Sequence, residues 1–156
     1  MAKSSGDAGI KIISKNRKAF HEYEILDKWE VGIVLLGTEV KALREGRCNL
    51  GDAYGDFSEG EVWLAKLHIG PYEPATRENH DPFRRRKLLM TKRELRKLKP
   101  KLEEKGLTLV PLKLYFKHGL VKVEMGLGRG KKMHDKRHAK AEKDVKRRIQ
   151  RELGRG

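Results

Sequence analysis

Cys48 is the only cysteine in the chain, so no internal disulfide can form and no cysteine-based zinc module can be built. That points to a reducing compartment. Aromatic residues are scarce, at 6%, and a core of this size needs most of them. No apolar run is long enough to span a bilayer, and Met1 to Phe20 contains no apolar segment of signal-peptide length. The expected location is therefore the cytoplasm, with no membrane partner. Recognisable catalytic machinery is also missing. Glu30, Glu39 and Asp52 have no spacing that suggests a nuclease centre, and no nucleophile is paired with a base, so no enzymatic activity is expected. Gly126, Gly128 and Gly130 match neither the dinucleotide fingerprint nor the Walker pattern and read as a flexible hinge. His134 and His138 have helical metal-ligand spacing, but no third ligand accompanies them and Lys131, Lys132, Lys136 and Arg137 crowd them with positive charge. Neither a metal nor a cofactor is expected.

Positive charge is what the chain has in excess. Its 156 residues, enough for one core plus appendages, carry 37 Lys and Arg against 22 Asp and Glu, a formal net charge of +15. Solubility alone does not need so much, and self-repulsion opposes folding, so a polyanion is the natural partner. The charge is unevenly placed. From Arg129 to Gly156 there are 12 basic and 4 acidic residues, so these 28 residues carry +8. That segment has too little apolar surface to order itself alone. Ala141, Val145, Ile149 and Leu153 nevertheless recur every four residues, as in a helix with one narrow apolar stripe. The resulting expectation is a flexible segment over residues 1–12, a folded domain over 13–127, and a basic tail over 128–156 that is disordered when free and helical when bound.

Strand patterns dominate the body. Phe20 to Leu36 reads as one long strand bent at Gly32, and a short helix over Glu39 to Glu45 follows, with Val40 and Leu43 on one face. Asn49 to Phe57 and Glu61 to Ile69 read as a hairpin about Ser58, Glu59 and Gly60, with Trp63, Ala65, Leu67 and Ile69 facing the core. Gly70 to Pro82, with three prolines, reads as an ordered loop. Thr91 and Glu94 form a capping box for a helix carrying Leu95, Leu98 and Leu102, which Pro100 is expected to kink or split. Thr108, Val110, Leu112, Leu114 and Phe116 alternate on one strand, and Val121, Val123 and Met125 on another, joined at Lys117, His118 and Gly119. The expected fold is mainly β: a small oligonucleotide-binding type antiparallel barrel of about six strands with one to three helices.

Two further features bear on an RNA partner. Arg84, Arg85, Arg86 and Lys87 precede Leu88, Leu89 and Met90, which suits either a solvated edge strand or phosphate contacts beside an apolar base contact. Tyr23 and Tyr54 have rings able to stack on unpaired bases. A ribosomal or RNA-chaperone protein that binds structured RNA through charge alone would also fit these features.

Four local strings are more specific than composition. NRKAFHEY at Asn16 to Tyr23, GTEVKALREG at Gly37 to Gly46, RKLL at Arg86 to Leu89 and GKKMHDKR at Gly130 to Arg137 together resemble the SmpB family of SsrA-binding proteins, in order from about Ile12 to Arg137. The resemblance implies an oligonucleotide-binding barrel that holds the tRNA-like domain of transfer-messenger RNA (tmRNA, or SsrA RNA) and delivers it to stalled bacterial ribosomes for trans-translation, catalysing nothing itself. It implies tmRNA contacts at Asn16, His21, Tyr23, Glu30, Arg86, Lys87, Leu89 and Lys122. It also places Lys131, Lys132, His134, Asp135, Lys136 and Arg137 at the decoding centre and mRNA channel, against small-subunit rRNA. The implied complex holds one monomer per tmRNA.

Overall fold

The computed structural model describes residues 9–75 and 79–131. Two of its three longest strands, β8 (Leu107–Lys117) and β9 (Leu120–Gly130), are joined at His118 and Gly119, whose positive φ values of 50° and 80° make the tight turn. Around this hairpin are β1 (Ile10–Lys15), β2 (Tyr23–Ile33), β4 (Tyr54–Ser58), β5 (Glu61–Ala65) and β7 (Arg86–Leu89). All the pairings are antiparallel. They run β8-β4-β5-β7-β2-β9, and β9 pairs back onto β8, so six strands form a closed ring with β1 added on the free edge of β8. The seam between β4 and β8 is one residue pair, Gly55 opposite Leu109. A Cβ at Gly55 would lie 2.5 Å from Leu109 Cδ2, so the two strands can approach only through a glycine. The architecture is mainly β with three helices, as expected, and the ring contains the expected six strands.

The ring interior is filled by Val31, Ile33, Val62, Leu64, Leu88, Leu109, Leu114, Val123 and Met125, all 8% exposed or less. Two helices contribute to this core. In α2 (Gly37–Arg44) the buried residues are Glu39, Ala42 and Leu43, a single helical face one turn long; of the expected pair Leu43 lies on it and Val40 is only half-buried. In α3 (Lys92–Glu103) the capping box is present: Thr91 Oγ1 accepts from Glu94 N–H at 3.1 Å and Glu94 Oε1 accepts from Thr91 N–H at 2.9 Å. Pro100 does not split α3. Only three residues follow it, so the missing N–H costs one bond in the last turn, where helices fray in any case.

Several expected boundaries shift. The strand expected from Phe20 instead begins at Tyr23, because Asn16 starts a six-residue helix, α1 (Arg17–Glu22). Ile10 to Ile12 belong to β1 and not to a separate leading segment. The hairpin strands are interrupted. The minor pair β3 (Cys48–Asn49) and β6 (His68–Ile69) is set apart by a turn at Leu50 to Ala53 and by Lys66, whose φ is +59°. This break changes the phase, so Val62 and Leu64 face the core in β5 while Leu67 and Ile69 do so after it; Trp63 is left half-exposed on the other side. In β8 an irregularity between Pro111 and Lys113 has the same effect. Leu109, Leu114 and Phe116 pack in the ring, whereas Val110 and Leu112 point outward under α1.

The glycines read as a hinge lie inside β9. A Cβ at Gly126 would sit 2.7 Å from Leu112 Cδ1, and one at Gly128 would sit 2.8 Å from Tyr23 Cβ. The role of Gly126 and Gly128 is close packing of the outer layer, whereas Gly130 ends the strand in open space. Gly126→Ala should therefore destabilise the protein by roughly 1–3 kcal/mol, since Leu112 is 1% exposed and has nowhere to move. Urea denaturation monitored by tryptophan fluorescence checks this.

Candidate nucleic-acid interface

Strand alternation sorts the β7-β2-β9-β8 sheet into two faces. Val31, Ile33, Leu88, Leu114 and Val123 point into the ring. The intervening residues form cross-strand rows on the outside. One row runs Leu89, Gly32, Lys122, Tyr115 and Ile12, and the next runs Glu30, Glu124, Lys113 and Lys15. Sequence-expected contacts from three different strands, Glu30, Leu89 and Lys122, are thus brought together, with Lys87 two residues from Leu89 on the same side of β7. Gly32 makes the patch possible. A Cβ there would meet Leu89 Cδ1 at 3.1 Å, and with only hydrogen present Leu89 lies across the strand while staying 53% exposed.

Glu30 is held by specific donors. Tyr115 Oη donates to Glu30 Oε2, and Lys117 Nζ donates to Oε1 at 3.1 Å. The Tyr115 bond, with Lys117 and the nearby Lys122 charge added, outweighs desolvation and holds the carboxyl below its ordinary range. Burial and the Glu30 bond raise the Tyr115 phenol, so it remains a donor. The two rows together hold the ionised acceptor Glu30, a second acid in Glu124, the lysines Lys15, Lys113 and Lys122, and exposed Leu89. Such a set can take a phosphate on Lys122, a ribose hydroxyl or base amino group on Glu30, and an apolar base or sugar face on Leu89. Sequence alone assigns Tyr115, Lys117 and Gly32 no site role, because only the register places Tyr115 and Gly32 in these rows and brings Lys117 to Glu30.

The rest of this outer face is covered by α1, where Ala19 packs on Val110 and Leu112, flanked by Tyr23 and Ile25. Asn16 holds the junction. Its Nδ2 donates to Pro111 O at 2.8 Å, its Oδ1 accepts from Ala19 N–H at 3.2 Å, and its backbone N–H bonds to Leu112 O at 2.8 Å. At 5% exposure its polar atoms serve the fold, which corrects the expectation that it touches RNA. His21 is exposed at the end of α1, and Tyr23 is half-buried over Gly128. Lys131 reaches the same place: its N–H donates to Glu22 O at 2.9 Å and its Nζ to Phe20 O at 3.2 Å. His21, Tyr23 and Lys131 thus lie together where the described residues end. Lys132, His134, Asp135, Lys136 and Arg137 lie outside the described residues, as do His138 and the apolar stripe.

Arg86 requires the largest correction. It is fully buried, as is Glu39, and the two form an ion pair through Arg86 Nε and Glu39 Oε2. Arg86 Nη1 also donates to Leu67 O at 2.6 Å and Nη2 to Pro82 O at 3.2 Å. Arg84 closes the cluster on Glu39 Oε1 at 2.6 Å. Burial alone would raise the Glu39 carboxyl, but donors from Arg84, Leu36 N–H and Arg86 outweigh it and hold the group below its usual value. An arginine with no exposed surface cannot touch RNA. The alternation carried a signal for this, since Arg86 shares the inward phase of Leu88. Of the other two cations, Arg85 pairs with Asp56 at 2.7 Å and Lys87 with Glu61 at 3.7 Å, both partly exposed.

Among the described residues, no group of three or more His, Cys, Asp or Glu is placed to hold a metal ion. No described helix is long and apolar enough to cross a membrane.

A family model described as SmpB protein matches residues 13–155. The SsrA-binding protein of Carboxydothermus hydrogenoformans is 56% identical over 143 residues, covering 92% of this chain and 96% of the relative. That of Desulfitobacterium hafniense is 54% identical over 143 residues, 92% of each chain. That of Bacillus cytotoxicus is 53% identical over 151 residues, 97% of this chain and 95% of the relative. Among solved structures, a chain described by the words "tmRNA-SmpB: a journey to the center of the bacterial ribosome" is 51% identical and superposes with a TM-score of 0.66 over 81% of this chain and 87% of its own length.

Proposed function

This chain belongs to the SmpB family, and from that premise we propose that it is an RNA-binding adaptor that holds the tRNA-like domain of tmRNA and delivers it to stalled ribosomes for trans-translation. The observation that carries the reading is the row in which exposed Leu89 and half-exposed Lys122 lie beside ionised Glu30, which buried Tyr115 holds in place, built by register across four strands. Lys87, Leu89, Glu30 and Lys122 hold tmRNA on that face, with His21 and Tyr23 extending the contact over α1. Asn16 and Arg86 hold the strands that present these groups. Residues 128–156 probe the empty mRNA channel, with Lys131, Lys132, His134, Asp135, Lys136 and Arg137 against small-subunit rRNA at the decoding centre. One monomer serves one tmRNA in the cytoplasm, and the protein itself catalyses no reaction and needs no cofactor.

A net charge of +15 also favours a second reading, in which the chain binds any structured RNA through charge. Competition at physiological salt separates the two. tmRNA should displace labelled tmRNA roughly 10³-fold better than an unrelated structured RNA of equal length, because base and shape contacts survive the salt that weakens phosphate contacts. Equal displacement by both RNAs would leave only the charge reading.

A further inference from the structure

On the β5 side of the ring, three strands from β9 in either direction, is an open cavity of about 740 Å³ lined by Asn49, Asp52, Lys66, His68, Phe83 and Arg85 among others. Its size falls in the range of small-ligand sites, roughly 300–1,000 Å³. Nothing assigned above uses it. We propose that this cavity binds one unpaired RNA nucleotide, its base stacked on Phe83 and its phosphate on Lys66 and Arg85. The inference rests on the reading of the chain as an RNA binder and adds a second contact point on the far side of the ring.

The main observation is Phe83. It is 57% exposed, and its ring lies 5.0 Å from that of His68 at a tilt of 59°. An exposed aromatic ring is costly to leave in water, yet here it sits on a stiffened turn. Phe83 N–H donates to Asp81 Oδ1 at 3.0 Å, and the neighbouring Pro82 carbonyl accepts from Ile69 N–H at 3.0 Å and from buried Arg86 at 3.2 Å. The interior ion pair therefore fixes the loop that holds the ring out. A ring positioned before its partner arrives loses little freedom when a base stacks on it.

The polar lining suits a nucleotide. Lys66 and Arg85 are exposed cations at the rim, Arg85 using Nη2 on Asp56 at 2.7 Å and keeping its other N–H groups for a phosphate; Lys66 also has φ +59°, a conformation that non-glycine residues rarely adopt and that clusters at binding sites. Asn49 Oδ1 is taken by Gly51 N–H at 2.8 Å, so its side chain has N–H donors left for a base edge. The one carboxylate, Asp52, is neutralised by Lys18 at 3.1 Å.

The test uses the full chain and a single-stranded hexaribonucleotide carrying one 4-thiouridine, cross-linked by near-ultraviolet light and mapped by mass spectrometry. Cross-links should fall on the segment containing Phe83 or on that containing His68. Phe83→Ala should reduce them roughly ten-fold or more, Phe83→Tyr should retain them, and neither exposed-site change should move the thermal midpoint. Cross-links confined to the Leu89–Lys122 face or beyond Lys131, or unaltered in Phe83→Ala, would overturn the site. Normal tmRNA binding in that case would leave the adaptor reading standing, whereas a chain that bound no RNA would defeat both.

Discussion

Ending the chain at Lys131 should abolish tagging of nascent chains on stalled ribosomes while leaving affinity for tmRNA within about ten-fold of the full-length value. The cut preserves both Lys131 anchors on α1 and every strand of the ring, so the face carrying Glu30, Leu89 and Lys122 is untouched. It removes ten Lys or Arg and four Asp or Glu. At physiological salt the field of those charges fades over about 8 Å, so they contribute to tmRNA affinity only where they touch it. Fluorescence anisotropy with labelled tmRNA and a reconstituted tagging reaction give the two readouts. Loss of tmRNA binding in the shortened chain, or tagging that continues without the tail, would refute the division of labour.

Glu39→Ala should be the most damaging single substitution in the body, costing roughly 3–5 kcal/mol. It leaves the fully buried Arg86 guanidinium, and Arg84 beside it, without a counter-ion. Glu39→Gln keeps shape and one acceptor oxygen and should cost less. The folded-state Glu39 carboxyl titrates below the ordinary value of 4.5, so its stabilisation is complete above about that pH and drains away as the pH falls through the lower folded value. Urea denaturation at neutral and acid pH should show the wild type losing stability over that acid range and Glu39→Gln losing less. A Glu39→Ala protein as stable as the parent would contradict the account of the buried cluster.

Chemistry was legible in the sequence where it depends on local patterns. The α3 capping box, the β8–β9 turn and the uneven charge all follow from residue type and spacing within a few positions. The strings that resemble the SmpB family placed Glu30, Leu89 and Lys122 in a contact set, and the strand register put them side by side. Other features need long-range information. Arg86 looks like one of four equivalent surface cations until Glu39, 47 residues earlier, is seen to face it. α1 is a single short helix whose N-cap partners are Pro111 and Leu112, far along the chain. In β8, apolar residues occupy both phases because the ring interior covers one face and α1 the other, so alternation alone could not reveal the irregularity at Pro111. The glycines of β9 read as a hinge for the same reason: what they accommodate, Leu112 and Tyr23, comes from other strands.

The pairing of β1 with β8 and of β2 with β9 dictates how this protein can be born. Ile12 lies opposite Tyr115, and Tyr23 opposite Gly130, so β1 has no partner until β8 is synthesised, and β2, which can meet β7 at Leu88 and Leu89, lacks its main partner until β9 follows. Closing the ring must wait for β9, and loops of about a hundred residues have to close before it yields its full return. A nascent chain interrupted short of β9 is left with open strand edges and an unfilled interior, a species for quality control to remove. By its own topology, the proposed rescue factor can be made only by a ribosome that does not stall on it.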